Sequence, residues 1–316
     1  MHISANRRRG SSAPAPLPCA ASHYNAGHVT TTVVFHTAII VPVTMASFFS
    51  TIGRLLGLAQ DEPSRPGWSI PSYEDVCQAR ASLKALNLPT ELVLQILDYA
   101  HYWPQYEYVS NFRQPKVAAA QGGRPSHATL CADMDALNNT TVEEVLRYGE
   151  TCKIKSVEFN IASLDQAWTS ENTHGTFNTS SWLEVSILRK MDHTTTAATG
   201  PHLSHMRFSD PCDYHQTVSS QGWSLIKRPQ SAKQGPQDGE GDFAWYLQGN
   251  RVAVGLDEYR IVWSVEGQEG NEGAGSGEGF LNELTEGDRI LVWARAKWPG
   301  WQCIVESVKM TVRYGF

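Results

Sequence analysis

The C-terminal half of this 316-residue chain is dominated by segments in which apolar and polar residues alternate. The alternation is clearest in four segments, residues 157–161, 183–187, 261–265 and 308–314. Successive side chains of a strand point to opposite faces, so this pattern predicts half-buried β-strands. Residues 290–296 are apolar on both faces except for Arg295 and predict a central strand. Turn-rich segments, not long helices, separate these strands, so we predict an antiparallel β-sandwich over residues 150–316.

A helix is predicted upstream, in residues 88–103, which read LPTELVLQILDYAHYW. Pro89 is suited to a first helical turn, and Glu91 suits the positive end of a helix. Apolar residues then recur at helical spacing, namely Leu92, Val93, Ile96, Leu97 and Ala100. Pro104 ends the run. A helix of about three to four turns is unstable alone in water, so it must pack either on this chain's own core or on a partner.

The remaining N-terminal residues predict no large domain. Residues 1–44 contain no Asp or Glu, and we predict that they are disordered or a gene-model extension, with Met45 as the natural start. Residues 45–87 are predicted to be a linker with short helices, one of them capped by Ser72. Residues 88–149 are predicted as a helical segment. The resulting fold class is α+β, a short helical N-terminal part followed by the sandwich.

Charge and cysteine content limit the classes of partner. The formal net charge of −6 argues against a dominant phosphate-binding surface, so we predict no nucleic-acid partner. The apolar residues 29–43 are too few and too polar for a confident membrane span, so no membrane partner is predicted either. The six cysteines lack metal-ribbon or disulfide-framework spacing. Free thiols in the cytoplasm or nucleus are therefore expected.

The sequence offers little for catalysis. It contains no Gly-x-Ser-x-Gly pattern, and nothing in their spacing selects Asp165 and Glu184 as a glycosidase pair. We therefore predict a non-enzymatic protein without a cofactor. No metal site is predicted, although four side chains in one short segment form a weak zinc candidate, namely His202, His205, Cys212 and His215.

Tryptophan is concentrated in the β-rich half, where it can have either of two roles. An indole can fill a sandwich core, or it can stack on a sugar ring or a base. We expect most of these residues in the core. Trp298 and Trp301 flank Pro299 and Gly300 in a turn after a strand, so we predict that they are the contact residues for any ligand, which could be a glycan.

Two further expectations concern loops and charges. The acidic, Gly-rich residues 266–279 lack a lysine and a following helix, so we predict a flexible hairpin loop and no phosphate site. Arg289 and Arg295 share one face of their strand. If that face is buried, each guanidinium needs a partner, and Glu184 or Asp165 would serve.

The segment LPTELVLQILDYA at residues 88–100 resembles the opening of an F-box, the module that docks substrate receptors onto the Skp-type adaptor of cullin-RING ubiquitin ligases. The resemblance implies that residues 88–149 are F-box-like. It also implies a set of adaptor-binding residues, namely Leu88, Pro89, Leu92, Val93, Ile96 and Leu97.

A broader resemblance covers residues 88–314. The motifs DQAW at 165–168, HGTF at 174–177, SWLEVSILRK at 181–190, GWSLIKRP at 222–229 and the segment 284–315 are similar to a family of filamentous-fungal proteins. In these, a short F-box-like start precedes a β-rich region. Two readings stay open: a substrate receptor that docks on a Skp-type adaptor and presents a client protein for ubiquitination, or a lectin-like sandwich that binds a carbohydrate or a protein and has no ubiquitin role.

Overall fold

The computed structural model describes residues 70–110, 112–120, 126–137, 145, 151–191, 207–232, 234–237 and 241–315. Every described residue belongs to one compact unit. The prediction for residues 1–44, and most of that for residues 45–87, lies outside the described residues.

Two helices precede the strands, α1 (Tyr73–Ala85) and α2 (Thr90–Tyr99), and both follow from the sequence. Ser72 caps α1 as predicted: its hydroxyl accepts a hydrogen bond from the backbone N–H of Asp75 at 3.1 Å. The Asp75 carboxylate in turn accepts from the Ser72 N–H at 2.8 Å, which completes a capping box.

The helix pair has a small apolar cluster of its own. Val76 and Leu83 of α1 are buried against Val93 and Leu97 of α2. The cluster is separate from the cores of the sandwich. The helices therefore satisfy their packing requirement mainly on each other.

Polar contacts join the C-terminal end of α2 to the sandwich. The Lys155 ammonium lies 2.7 Å from Asp98 Oδ1. The Trp103 indole N–H donates to the same carboxylate at 3.0 Å, and the ammonium lies 5.9 Å from the Trp103 ring centroid. The Lys155 side chain is 9% exposed and the Asp98 side chain 45% exposed, so the ion pair that joins the helix pair to the sheet is partly open to solvent.

Two antiparallel sheets follow. The first has the order β1-β12-β4-β9-β10, with β2 also paired to β12. Its strands are β1 (Gln105–Val109), β2 (Lys116–Ala119), β4 (Lys153–Leu164), β9 (Asp257–Ser264), β10 (Gly267–Glu269) and β12 (Gln302–Gly315).

The second sheet has the order β6-β3-β11-β5-β7, with β8 also paired to β5. Its strands are β3 (Ser126–Asp135), β5 (Ser181–Lys190), β6 (Arg207–Phe208), β7 (Trp223–Leu225), β8 (Trp245–Gly249) and β11 (Arg289–Lys297). β11 lies between β3 and β5, so the predicted central strand is confirmed. The predicted α+β class with an antiparallel β-sandwich is likewise confirmed.

The main core lies between the two sheets. It takes the alternate apolar residues of the strands whose periodicity was visible in the sequence, for example Phe159, Val185, Ile261 and Met310. A second cluster covers the opposite face of the second sheet, where helix α3 (Pro211–Ser219) packs Tyr214 against Trp293 with ring centroids 4.8 Å apart. The second sheet is therefore buried on both faces. A short helix, α4 (Phe280–Glu283), adds Phe280 to the main core.

The strands begin earlier than expected. The sequence predicts a helical segment over residues 88–149, but β1, β2 and all of β3 lie there and pair within the sandwich. In β1 the alternation is present but short: Tyr106 and Tyr108 pack on the core while Glu107 is exposed. In β3 both faces are covered, so no alternation marks it.

The Gly-rich segment also differs from expectation, since it is packed against the sandwich and is not a free hairpin loop. The ideal Cβ of Gly273 would overlap the Phe177 ring, and that of Gly277 would overlap the Trp263 ring. Backbone hydrogen bonds tie the segment down, including one from the Gly275 N–H to the Leu247 carbonyl at 2.9 Å. Glycine occurs here because the chain approaches aromatic rings too closely for any side chain.

Within the described residues, the helices are all too short or too polar to cross a membrane.

Candidate functional site

Two exposed tryptophans mark one end of the sandwich. Trp168, in the connection between β4 and β5, is 59% exposed, and Trp298, in the turn between β11 and β12, is 48% exposed. The two segments lie close together, because the edge of the Trp168 ring is 3.8 Å from the position that a Cβ atom on Gly300 would occupy. Two exposed indoles close together offer more apolar surface to a ligand than a single exposed side chain, so this end is the candidate site.

A buried carboxylate shapes the loop that carries Trp168. Asp165 Oδ1 accepts from the Ala167 N–H at 2.7 Å, and Oδ2 accepts from the Ala253 N–H at 2.8 Å. Ala167 and Ala253 both have positive φ, 63° and 56°, so this single side chain stabilises two strained turns. Burial raises the pKa of Asp165 above its ordinary value, against the opposing effect of these backbone hydrogen bonds. Asp165 is a structural residue of the site.

Gln166 connects this loop to the neighbouring strand. Its side-chain amide donates to the Trp168 carbonyl at 2.8 Å, and its carbonyl oxygen accepts from the backbone N–H of Gln302 at 3.4 Å. Gln302 is the first residue of β12, directly after the turn that contains Trp298. Hydrogen bonds of Gln166 therefore join the loop that carries Trp168 to the start of β12, next to the turn that carries Trp298.

Trp298 has an unusual backbone conformation. Its φ is +77°, which costs a non-glycine residue on the order of 1 kcal/mol or more. The Trp301 N–H donates to its carbonyl at 3.3 Å and closes the turn. The Lys297 ammonium lies 5.2 Å from the Trp298 ring centroid and donates to the Gln237 carbonyl at 2.6 Å. A strained turn thus presents an indole to solvent, as is typical of a binding residue.

A buried polar layer lies beneath this end. The side chain of Asn250 accepts from the Ser163 hydroxyl at 2.6 Å and donates to the Ser181 hydroxyl at 2.8 Å and to the Leu164 carbonyl at 3.2 Å. Cys303 is buried beside it, and burial raises the pKa of this thiol to about 11. These contacts join the ends of β4, β5 and β12, so the loops above rest on a fixed base.

The sequence identified only part of this site. Trp298 is exposed as expected, but Trp301 is half-buried and packs on the main core. Trp168 is the residue that the sequence reasoning missed as a leading contact candidate. The sequence signal for the exposure of Trp168 was its position in a polar loop directly after a strand.

The remaining tryptophans of the strands fill cores, as expected for most of them. Each of four nearly fully buried indoles donates its N–H to a protein oxygen: Trp182 to Glu184 at 2.7 Å, Trp245 to the Glu278 carbonyl at 2.9 Å, Trp263 to the Gly275 carbonyl at 2.9 Å and Trp293 to Ser186 at 3.1 Å. Their polar atoms are satisfied inside the protein, which leaves no ligand role for them.

The strand arginines are paired, although not entirely as predicted. Arg295 Nη1 lies 2.9 Å from Glu184 Oε2, and both side chains are almost fully buried, so this predicted ion pair is confirmed. Arg289 instead pairs with Asp133 at 2.9 Å, because those two side chains lie on adjacent strands. Asp165 pairs with neither arginine, since its carboxylate is occupied by the backbone of the tryptophan loop.

The weak metal candidate is only partly described. His202 and His205 lie outside the described residues. Cys212 is exposed near the start of α3, and His215 Nδ1 accepts from the Leu225 N–H at 3.1 Å while its ring stacks on Phe243 at 4.2 Å. In the part of the chain that the structure describes, no three potential metal ligands come together.

The six predicted adaptor-binding residues separate into two groups. Val93 and Leu97 are buried between the helices and are not available to a partner in this conformation. Leu88 and Ile96 are half-buried, whereas Pro89 and Leu92 are exposed. Adaptor docking stays a prediction that the exposed residues would have to carry.

Comparison with known proteins gives structural neighbours only, since no family model and no curated protein matches the chain. Lectin I from Ulex europaeus, in complex with the methyl glycoside of α-L-fucose, has a TM-score of 0.30 and 10% identity, covering 66% of this chain and 98% of that one. Peanut lectin with a nine-residue peptide has a TM-score of 0.29 and 7% identity over 67% of this chain and 99% of its own. Winged bean acidic lectin with methyl-α-D-galactose has a TM-score of 0.28 and 8% identity over 67% of this chain and all of its own.

Proposed function

We propose that this chain is a non-enzymatic binding protein whose sandwich holds a glycan against Trp168 and Trp298. The observation that supports this most is the pair of exposed indoles, 59% and 48% exposed, on two loops that lie close together. An indole offers a large, rigid apolar surface at low entropic cost, and the C–H face of a sugar ring stacks on such a surface.

The base of the site supports the same proposal. Asp165, Gln166 and Asn250 hold the loops through hydrogen bonds to backbone or to buried hydroxyls. A site whose loops are already ordered loses less entropy on binding a weakly interacting ligand such as a sugar. The strained φ of Trp298 is consistent with a turn retained for contact and not for packing.

A glycan array with the purified chain tests this proposal. We expect binding to a restricted set of glycans, and we expect Trp168→Ala and Trp298→Ala each to weaken it at least tenfold, since truncating a central aromatic contact costs about 2 kcal/mol. Tyr99→Ala is the matched control, because Tyr99 is 76% exposed but lies on α2. An array without binding, or variants that bind like wild type, would overturn the proposal. A protein captured through the same two indoles would assign the site to another class of partner.

A second function rests on the helix pair. Pro89 and Leu92 are exposed at the start of α2, and Leu92 is 45% exposed, so an apolar edge is available for a Skp-type adaptor. In this reading the sandwich presents a client protein for ubiquitination. The free thiols of Cys77, Cys131, Cys212 and Cys303 suit a cytoplasmic or nuclear location.

Co-purification with a Skp-type adaptor tests the second function. Leu92→Asp should abolish co-purification, because it places a charge in the apolar contact. Val265→Asp is the matched control, since Val265 is 51% exposed on the sandwich. If no adaptor co-purifies with the wild-type chain, or if both variants retain it equally, the docking proposal is wrong.

A further inference from the structure

A polar cleft lies in the connection between β7 and β8. It has a volume of about 500 Å³, within the usual range for ligand sites. Its lining is hydrophilic except for one small residue and consists of Arg228, Gln230, Ser231, Ala232, Gln234 and Asp242.

Hydrogen bonds within the protein hold the walls of the cleft in place. The Arg228 guanidinium donates to the carbonyls of Ala232 and Gly241, and the Arg228 N–H donates to the Asp242 carbonyl at 2.7 Å. Ala232 is buried in the main core. The cleft is therefore formed by backbone that folds back on itself and is anchored to the sandwich.

The chemistry of the lining selects a class of ligand. Two amides and a hydroxyl, all exposed, supply both hydrogen-bond donors and acceptors. One guanidinium and one carboxylate give the lining no net formal charge. There is little apolar surface for an aromatic or aliphatic ligand. A neutral, hydroxyl-rich ligand fits this set of groups.

The cleft and Trp298 are connected through Gln237. The Gln237 carbonyl accepts from the Lys297 ammonium that lies over the Trp298 ring, and the Gln237 side-chain amide donates to the Thr179 carbonyl at 3.1 Å. Gln234, in the cleft wall, is three residues before Gln237. Three residues of extended chain span about 10 Å, which places the cleft wall within about 20 Å of the Trp298 ring.

From this juxtaposition we infer that the site binds a neutral oligosaccharide chain and not a single terminal sugar: one unit stacks on Trp298 while another is hydrogen-bonded by the side chains of the cleft, chiefly Gln230 and Gln234. The inference rests on the proposed glycan function and specifies its ligand. It requires affinity to increase with chain length, because only a chain reaches both places at once.

Isothermal titration with neutral gluco-oligosaccharides, from glucose to the hexasaccharide in α-1,4, β-1,4 and β-1,3 linkage, tests the inference alongside the array. For at least one linkage we expect affinity to rise more than tenfold from the monosaccharide to the longer chains. We expect Gln234→Ala and Gln230→Ala each to weaken binding of the longer chains about five- to tenfold, as for one lost hydrogen-bonding group, with no change for the monosaccharide. Gln268→Ala, at an exposed position on β10, is the matched control.

The outcomes separate the two proposals. If an array or titration shows glycan binding that depends on Trp298 but not on chain length or on the two cleft glutamines, the extended site is wrong and the glycan function stands. If glycans bind on the array but none of the gluco-oligosaccharides does, the array glycan and its shortened fragments are titrated: affinity of a neutral glycan that rises more than tenfold with length supports the extended site, and a charged glycan or constant affinity overturns it. If no glycan binds in either assay, both proposals are wrong.

Discussion

Disrupting the buried ion pair between Glu184 and Arg295 should strongly destabilise the fold. The two side chains are 0% and 1% exposed, and their charged atoms are 2.9 Å apart. The Trp182 indole N–H donates to the second carboxylate oxygen at 2.7 Å, and the guanidinium lies 5.4 Å from the Trp182 ring centroid. Replacing Arg295 with methionine keeps most of the volume but leaves a carboxylate buried without its cation.

Such a loss costs about 3–5 kcal/mol, compared with a total stability of about 5–15 kcal/mol for a domain. For a domain of this size, the melting temperature should fall on the order of 10 °C. The double variant Glu184→Leu/Arg295→Met should be more stable than Arg295→Met alone, because it removes the uncompensated charge as well.

Urea denaturation followed by tryptophan fluorescence measures these differences. Glu269→Gln is the matched control: Glu269 is 67% exposed and pairs with Arg260 at 2.6 Å, so its loss should cost at most about 1 kcal/mol. An Arg295→Met variant that is destabilised no more than this control would refute the account of the pair.

Three further predictions follow from packing and burial. Gly277→Ala should destabilise the fold by several kcal/mol, because the φ of Gly277 is +60° and an added Cβ would overlap an indole ring. Gly255→Ala is the control and should change the melting temperature little, because a Cβ there would have nothing within 4 Å. Equal melting temperatures for the two variants would contradict the packing of the Gly-rich segment. In the native protein, a maleimide should label exposed Cys212 but not buried Cys303, whose pKa is raised to about 11, and peptide mapping that finds both labelled would contradict the burial. Burial alone would raise the pKa of Glu158, but hydrogen bonds and nearby arginines lower this pKa below its ordinary value, so the carboxylate stabilises the fold above about pH 4.5 and this stabilisation is lost as the pH falls through the lowered pKa. Glu158→Gln should therefore be less stable than wild type at pH 7, and the two proteins should differ less in stability at pH 3. A stability difference that grows in acid would contradict this account.

The strands that could be predicted are those with a clear alternation, as in β4 and β12, or with a continuous apolar run, as in β11. In β4 and β12 the outward residues face solvent and the inward residues face the core, so alternation is visible in the sequence. β3 adds Ala132 and Met134 to the main core, whereas its Ala128 and Leu130 pack in the second cluster with residues of α3. β3 has neither the alternation of β4 nor the continuous apolar run of β11, which is why the sandwich was expected to begin too late.

The Gly-rich segment shows a different limit. Its composition is typical of a flexible loop, and nothing local distinguishes a free glycine from one that lies against a ring. The neighbours that require glycine here, Phe177 and Trp263, come from other parts of the chain. Only the assembled sandwich shows that these glycines are needed for close packing.

The candidate site was predictable to the extent that it depends on local turns. Trp298 could be selected because a Trp-Pro-Gly-Trp turn after a strand exposes side chains. The role of Trp168 depends on contacts that a sequence does not reveal, namely the approach of its ring to Gly300 and the hydrogen bond that Asp165 accepts from the distant Ala253 N–H. The same is true of the cleft, which exists only because Arg228 closes its own loop.

The most direct test of the glycan site is an NMR titration of the tryptophan indole N–H signals with a glycan that binds on the array. The chain has ten tryptophans, and single substitutions assign their signals. We predict that the signals of Trp168 and Trp298 shift progressively to saturation, while those of the buried Trp182, Trp245, Trp263 and Trp293 do not move. Saturable binding in which the Trp168 and Trp298 signals stay unchanged would contradict the central claim.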